Sequence, residues 1–279
     1  MNSAVERAIK LICDQYGEPL SLDDLAESAI LSRFHFLRIF TEATGVTPGR
    51  FLSAVRIYQA KRMLVTTAMK VTDIAFAVGY NSLGSFSNHF TASVGIAPGR
   101  FRRSWRHGML EFPGPNHNRS GGAVTGDLVL PPGYVGAHAC VGVFDSPIIQ
   151  HQPAAAAVVE VPPDRRVARF DLGHVHKGAW FIHALAVTDS EDVEPWTRRT
   201  LLVGSSGLVT MTGHDLHPRI ELRTRRPTDL PILLALPELE PGLARYPTAE
   251  TAPVVPFPRY GEMVGVPGGA RRESAPVCR

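Results

Sequence analysis

Apolar positions in the first hundred residues recur on a helical period, whereas from about residue 123 they fall into short strand-like runs. Val5, Ala8, Ile9 and Ile12 form one stripe, which predicts an amphipathic first helix stopped by Gly17 and Pro19. Ser21 stands three residues before Asp24, a capping-box spacing, and opens a short helix through Leu25 and Ala26. After a turn at Ala29-Ile30-Leu31, Ser32 begins a second helix with the stripe Phe36, Ile39, Phe40 and Ala43. Gly45 ends it, and Pro48 starts a long helix running to about Thr66. The apolar residues of that helix, Phe51 to Leu64, spread over more than one face, so it is expected to pack on both sides.

The pattern then repeats. At an offset of 50, Ser32, Phe36, Phe40 and Gly45 match Ser82, Phe86, Phe90 and Gly95, and Pro48-Gly49-Arg50-Phe51 matches Pro98-Gly99-Arg100-Phe101. Upstream, Leu22, Asp24, Leu25 and Ala26 match Val71, Asp73, Ile74 and Ala75 at an offset of 49, and Gly79 in the second turn can adopt the left-handed conformation. A duplicated unit of this length is one supersecondary module used twice. Two short helices across a tight turn make a helix-turn-helix, whose second helix docks into the major groove of DNA. An ordinary helical hairpin in a bundle is the plain alternative for either copy. The duplication argues against it, and so does the outward face: Phe34, Leu37, Arg38 and Thr41 point away from the phenylalanine stripe. Phe and Leu beside an Arg are costly against water but suit thymine methyls and guanine edges.

On these residues, 3–106 resemble the DNA-binding domain of the AraC/XylS family of bacterial transcription regulators. VTDIAFAVGYNSLGSFSNHF is similar to the family's most characteristic segment, and SRFHFLRIF followed by Gly45 and Pro48 to its first recognition helix. The resemblance implies an all-α domain with two helix-turn-helix units joined by the long helix, which holds the recognition helices about 34 Å apart. One chain then reads two successive major grooves of double-stranded DNA. The expected DNA-binding residues are Ser32, Arg33, Phe34, His35, Leu37 and Arg38 in the first unit. In the second they are Ser82, Leu83, Gly84, Ser85, Ser87, Asn88 and His89. Asn88 stands where the family often has a basic residue, and an Asn can pair with adenine instead. The first helix is therefore expected to supply most direct readout, and Ser32 and Ser82 to cap helices that face phosphates. On the long helix Arg56, Lys61 and Arg62 either reach phosphates or are solvated surface charge.

Charge agrees with this division. Residues 1–107 hold thirteen Lys/Arg against eight Asp/Glu, net +5, while the remainder nets −2. Cys13, Cys140 and Cys278 are scattered and odd in number, as in a cytosolic protein with reduced thiols. With no signal peptide or membrane span in the sequence, a cytoplasmic, nucleoid-associated protein without membrane contact is expected.

After Arg106 the composition changes, and 108–122 reads as a polar, Gly/Pro-rich linker. Residues 123–243 show seven or eight short strand patterns, from GDLVLP to ILLALPEL, which suggest an all-β, antiparallel sandwich or small barrel. RFDLGHVHKGAWFIHALAV bears a slight resemblance to prealbumin-like sandwiches. Residues 244–279, rich in Pro, Gly and charge, are expected to form a disordered tail.

His174 and His176 are spaced for one strand face, with His183, His214 and His217 further on, but a metal site needs three or four converging ligands. The cupin sensors of AraC-like regulators carry such an HxH with a following Glu, where this chain has Gly178 and Ala179. The histidines are read as structural, with no metal or cofactor. Ser205-Ser206 is read as a hairpin turn, not a nucleophile elbow, and Trp180 and Phe181 as core residues facing opposite ways. The reading is a multidomain transcription regulator, not an enzyme, with no catalytic residues. The resemblance further implies a β domain that senses a small-molecule effector or forms a homodimer, and contact with RNA polymerase. The alternative is an enzyme fused to a DNA-binding module.

Overall fold

A computed structural model describes residues 2–106, 121–190 and 199–235. Linker residues 108–120, Cys278 and the expected disordered tail 244–279 lie outside them. The helical part comprises α1 (Asn2–Gln15), α2 (Leu22–Ser28), α3 (Arg33–Thr44), α4 (Pro48–Thr66), α5 (Val71–Ala77), α6 (Leu83–Val94) and α7 (Pro98–Arg106). Among the described residues no helix is long and apolar enough to cross a membrane.

Local chemistry sets most boundaries. The Ser21 backbone N–H donates to Asp24 Oδ2 at 2.8 Å while the Asp24 N–H donates to Ser21 Oγ at 3.2 Å, closing the capping box of α2. Gly45 and Gly95 end α3 and α6 with φ of 77° and 92°, left-handed caps that a Cβ would oppose. Thr47 caps α4, with Pro48 in its first turn. The apolar stripe of α3 is Phe36, Ile39, Phe40 and Thr44; Ala43, expected in it, is exposed. Thr44 takes the buried position because its hydroxyl donates to the Phe40 carbonyl at 2.8 Å, so the polar group costs little there.

Buried residues occur all around α4: Phe51, Leu52, Ala54, Val55, Ile57, Ala60, Lys61 and Leu64. This helix packs against α1–α3 and against α5–α7, as its pattern predicts. A chain of edge-on and tilted rings, Phe36–Phe40–Phe51 in the first half and Phe86–Phe90–Phe101 in the second, fills the core on either side. The two halves also meet directly. Arg56 of α4 donates to the carbonyls of Tyr16 at 2.7 Å and Glu18 at 2.8 Å, and a Cβ on Gly17 would stand 2.8 Å from the Ala77 carbonyl oxygen.

Among the described residues the β part has eight strands: β1 (Gly122–Val129), β2 (Tyr134–Phe144), β3 (Ala155–Val161), β4 (Val167–Val175), β5 (Gly178–Ser190), β6 (Arg199–Met211), β7 (Arg219–Glu221) and β8 (Arg223–Thr224). They form a three-stranded sheet, β4-β1-β7, and a five-stranded sheet, β3-β2-β5-β6-β8, not a closed barrel. Nor is the pairing wholly antiparallel, since β7 runs parallel to β1. Alternation explains the layers. Ala137, Ala139, Val141 and Val143 of β2 and Ile182, Ala184 and Ala186 of β5 face a core shared with Leu128, Phe170 and Leu172 of the smaller sheet. The intervening Cys140, Phe144, Leu185 and Val187 are buried too, on the other face, under Ile232 and Leu234.

Residues 232–235, expected as the start of a strand, join no sheet; they form an irregular strap between the larger sheet and the helices, its Leu233 and Leu234 N–H groups donating to the Ile149 carbonyl. Ser205-Ser206 is not a hairpin turn but lies within β6, where the pairing with β5 shifts register and Gly207 takes φ 71°. A bulge and a turn ask for the same small residues, hence the misreading.

The helical and β parts are docked. Leu233 of the strap and Ile148 of the β2–β3 connection are buried in the helical core. The Lys61 ammonium, 1 % exposed, donates to the carbonyls of Ile232 at 3.2 Å and Leu234 at 2.9 Å and lies 5.9 Å from the Phe101 ring centre.

Candidate nucleic-acid interface

In each half a helix of seven residues (α2 or α5) precedes a longer one (α3 or α6) across a tight turn. Tight turns of this kind need one left-handed residue. In the second half it is Gly79, φ 84°; in the first it is Ile30, φ 59°, a β-branched residue in a region that costs it about 1–2 kcal/mol.

Burying Phe36 and Phe40 turns the other side of α3 to solvent. Arg33, Phe34, His35 and Arg38 are exposed, Phe34 at 85 %, while Leu37 is half-buried. Arg33 Nε lies 3.8 Å from Asp23 Oδ1, an exposed pair too weak to hold it from another anion. Ser32 sits at the N-cap of α3 but makes no side-chain capping bond. Ser82, by contrast, accepts from the Ser85 N–H at 3.1 Å. On α6, Leu83, Gly84, Ser85, Asn88 and His89 are exposed and Ser87 is half-buried. A Cβ on Gly84 would meet nothing within 4 Å, so the start of α6 fronts open space. His89 is held: its Nδ1 hydrogen-bonds with the Tyr80 hydroxyl at 2.8 Å and stands 3.5 Å from Ser53 Oγ. Burial raises the Tyr80 phenol above its ordinary range, keeping it neutral in this contact.

The structure thus gathers the first set of expected residues on α3 and the second on α6. Of the three cations considered on α4, Arg56 and Lys61 are engaged inside the molecule through the carbonyl bonds above. Their roles had no local sequence signal, since both partners are remote in the chain. Exposed apolar residues beside the turns, Ile30 at 79 % and Phe76 at 55 %, were likewise unmarked by periodicity.

The histidines of the β part scatter. His174 is the last residue but one of β4, His176 lies beyond it with its ring 4.7 Å from Trp180, and His217 Nδ1 hydrogen-bonds with Thr125 Oγ1 at 2.7 Å. His183, buried on β5, donates Nε2–H to the Ser146 carbonyl at 3.3 Å, and desolvation pushes its pKa down to about 4.

An exposed helix bearing Phe, Arg and His, supported by a short helix across a tight turn, defines a helix-turn-helix DNA-binding domain. A family model described as a helix-turn-helix domain matches residues 25–104, and this segment is an AraC-type domain. The chain is 28 % identical over 102 residues to the lactose operon transcription activator of Staphylococcus xylosus, covering 37 % of each. It is 36 % identical over 85 residues to the transcriptional activator AarP of Providencia stuartii, 30 % of this chain and 63 % of that one. The melibiose operon regulatory protein of Escherichia coli K12 is 27 % identical over 110 residues, 39 % of this chain and 36 % of that one. The chain thus spans less than two thirds of the length of these curated relatives. Among solved structures, the DNA-binding domain of the transcriptional factor AdpA with a target DNA aligns at 28 % identity and a TM-score of 0.36, covering 37 % of this chain and 93 % of that one.

Proposed function

We propose that this protein is a sequence-specific DNA-binding transcription regulator. Its residues 1–107 contain two helix-turn-helix units, α2–α3 and α5–α6, reading successive major grooves of one duplex, and 123–243 form its regulatory β domain. The observation that carries this reading is the outward face of α3, where an almost fully exposed Phe34 stands with Arg33 and Arg38. Its duplicate on α6 supports the second unit, and α4 between them sets their separation. Base contacts are assigned to Phe34, His35, Leu37 and Arg38, and to Leu83, Gly84, Ser85, Ser87 and Asn88. Arg33 and the N-terminal turns at Ser32 and Ser82 are assigned to phosphates. His89, tied to Tyr80, supports the second helix more than it reads bases.

The curated relatives are regulators, which favours this over an enzyme carried on a DNA-binding module. The β domain acts through a small-molecule effector or through homodimerisation. The test is titration of variants on an operator selected from random DNA. Arg38→Ala lowers affinity by about 1–3 kcal/mol and relaxes preference at one base pair. Ser87→Ala changes it by well under that. Equal losses, or a uniform loss without change in preference, overturn the assignment.

A further inference from the structure

Where the β part docks on the helices, a cavity of about 50 Å³ remains between α1, α4 and residues 225–231. Phe51, Val55 and Tyr58 line it from α4, Cys13 from α1, and Arg225 and Asp229 from the segment after β8. Arg225 Nη2 donates to the Leu230 carbonyl at a long 3.4 Å. Its Nε is buried without a hydrogen-bond partner, the only such side-chain nitrogen or oxygen among the described residues. A buried donor left unmade is costly, more so when charged, so an acceptor is called for.

Within the lining, Asp229 attracts Arg225 electrostatically, yet no side chain hydrogen-bonds to the Arg225 Nε. The Asp229 carboxylate is already taken by Arg223 Nη1 and Nη2, at 2.7 and 2.6 Å, and by the Arg226 N–H at 2.6 Å. Burial pushes the Cys13 thiol up to about 11, so it brings no counter-charge. The cavity therefore offers the Arg225 guanidinium edge, with Gln59, Arg226 and Asp229 at its polar side and Phe51, Val55 and Pro231 as apolar walls. A planar carboxylate matches that edge in shape and charge, whereas sulfate and phosphate lose more hydration on entering an apolar cleft. At ~10–15 Å³ per water-sized group, the volume holds about four such groups.

We propose that this cavity binds a small monocarboxylate of about two or three carbons, its carboxylate on Arg225 and its alkyl end against Phe51 and Val55. The ligand bridges the β part and α4, the helix that packs against both halves of the DNA-binding domain. Occupancy strengthens the docked arrangement and so couples the carboxylate to DNA affinity. This deepens the regulatory reading and rests on it only for that consequence.

The test uses the full chain without DNA, so its outcome is independent of whether the DNA reading holds. Acetate, propionate and butyrate are titrated at constant ionic strength against chloride and sulfate. The Arg225 Nε–H resonance is followed by ¹⁵N NMR and the heat by calorimetry. The expected result is a saturable shift of that resonance with a short carboxylate and none with chloride or sulfate. Arg225→Gln weakens binding about ten- to hundredfold. A resonance indifferent to all carboxylates in the unaltered chain overturns the proposal, as does equal response to chloride or to sulfate. Should Arg225→Gln fail to fold, the wild-type titration decides alone. A saturable carboxylate response that a folded Arg225→Gln retains unchanged also overturns it.

Discussion

At the residue scale, the two turns do one job with different residues. Gly79 reaches φ 84° without strain, whereas Ile30 holds φ 59° with most of its side chain in water. Ile30→Gly should relieve about 1–2 kcal/mol of backbone strain, offset in part by about 0.5–1 kcal/mol of added chain entropy, and raise the urea midpoint slightly. Gly79→Ala should do the reverse and by more, because its Cβ would stand 2.8 Å from the Gly17 carbonyl oxygen and 2.9 Å from Arg56 Nη2. A lower midpoint for Ile30→Gly would mean that its exposed side chain contributes more than its strain costs. The offset of 49 had aligned Ile30 with Gly79 all along, but an isoleucine gives no sign that it will turn left-handed. Caps and stripes were legible because they are local: Ser21 with Asp24, Gly45, Gly95, Pro48. The Ala43 and Thr44 exchange was not, since both positions fit a wide stripe and a hydroxyl-to-carbonyl bond decided between them.

At the element scale, the connection from β2 to β3 touches both candidate recognition helices near their C-terminal ends. Pro147 lies beside Gly45 after α3, Arg50 Nη2 donates to Ser146 Oγ at 3.4 Å, and the His151 N–H donates to the Ser93 carbonyl of α6 at 2.6 Å. His183 underpins this connection through the Ser146 carbonyl. Its pKa is held near 4 against 6.5 in the ordinary state, so the folded chain stays unprotonated where the unfolded chain binds a proton. Stability from this group is therefore complete above pH 6.5 and falls as pH drops toward 4. Between pH 7 and pH 5 the loss is about 2 kcal/mol. Urea unfolding at the two pH values checks this: His183→Phe should remove that part of the difference, and an unchanged difference would assign it to other groups. Strands of the β part were legible by alternation, and the long apolar runs of β2 and β5 were legible as strands. What covered their second face was not, because the strap at 232–235 has a strand's pattern but bonds to the Ile149 carbonyl through the Leu233 and Leu234 N–H groups and joins no sheet.

At the scale of the whole molecule, the halves with different sequence patterns share one packed boundary. A regulator can exploit such a boundary, since whatever shifts the docking of the β part acts on α4 and on both helix pairs at once. The sequence held the duplication, the charge asymmetry and the exposed α3 face, which is why the candidate site could be placed by residue number. It did not hold the docking, whose bonds, such as Lys61 to Ile232 and Leu234, join residues more than 170 positions apart.

The central claim is that one chain reads two successive major grooves, and hydroxyl-radical footprinting of the full chain on a selected operator tests it most directly. The account predicts two protected patches about one helical turn apart on one face of the duplex, at one chain per site. Substitution of Arg38 should weaken one patch more than the other. A single patch, or two patches that appear only with two chains bound, would contradict it.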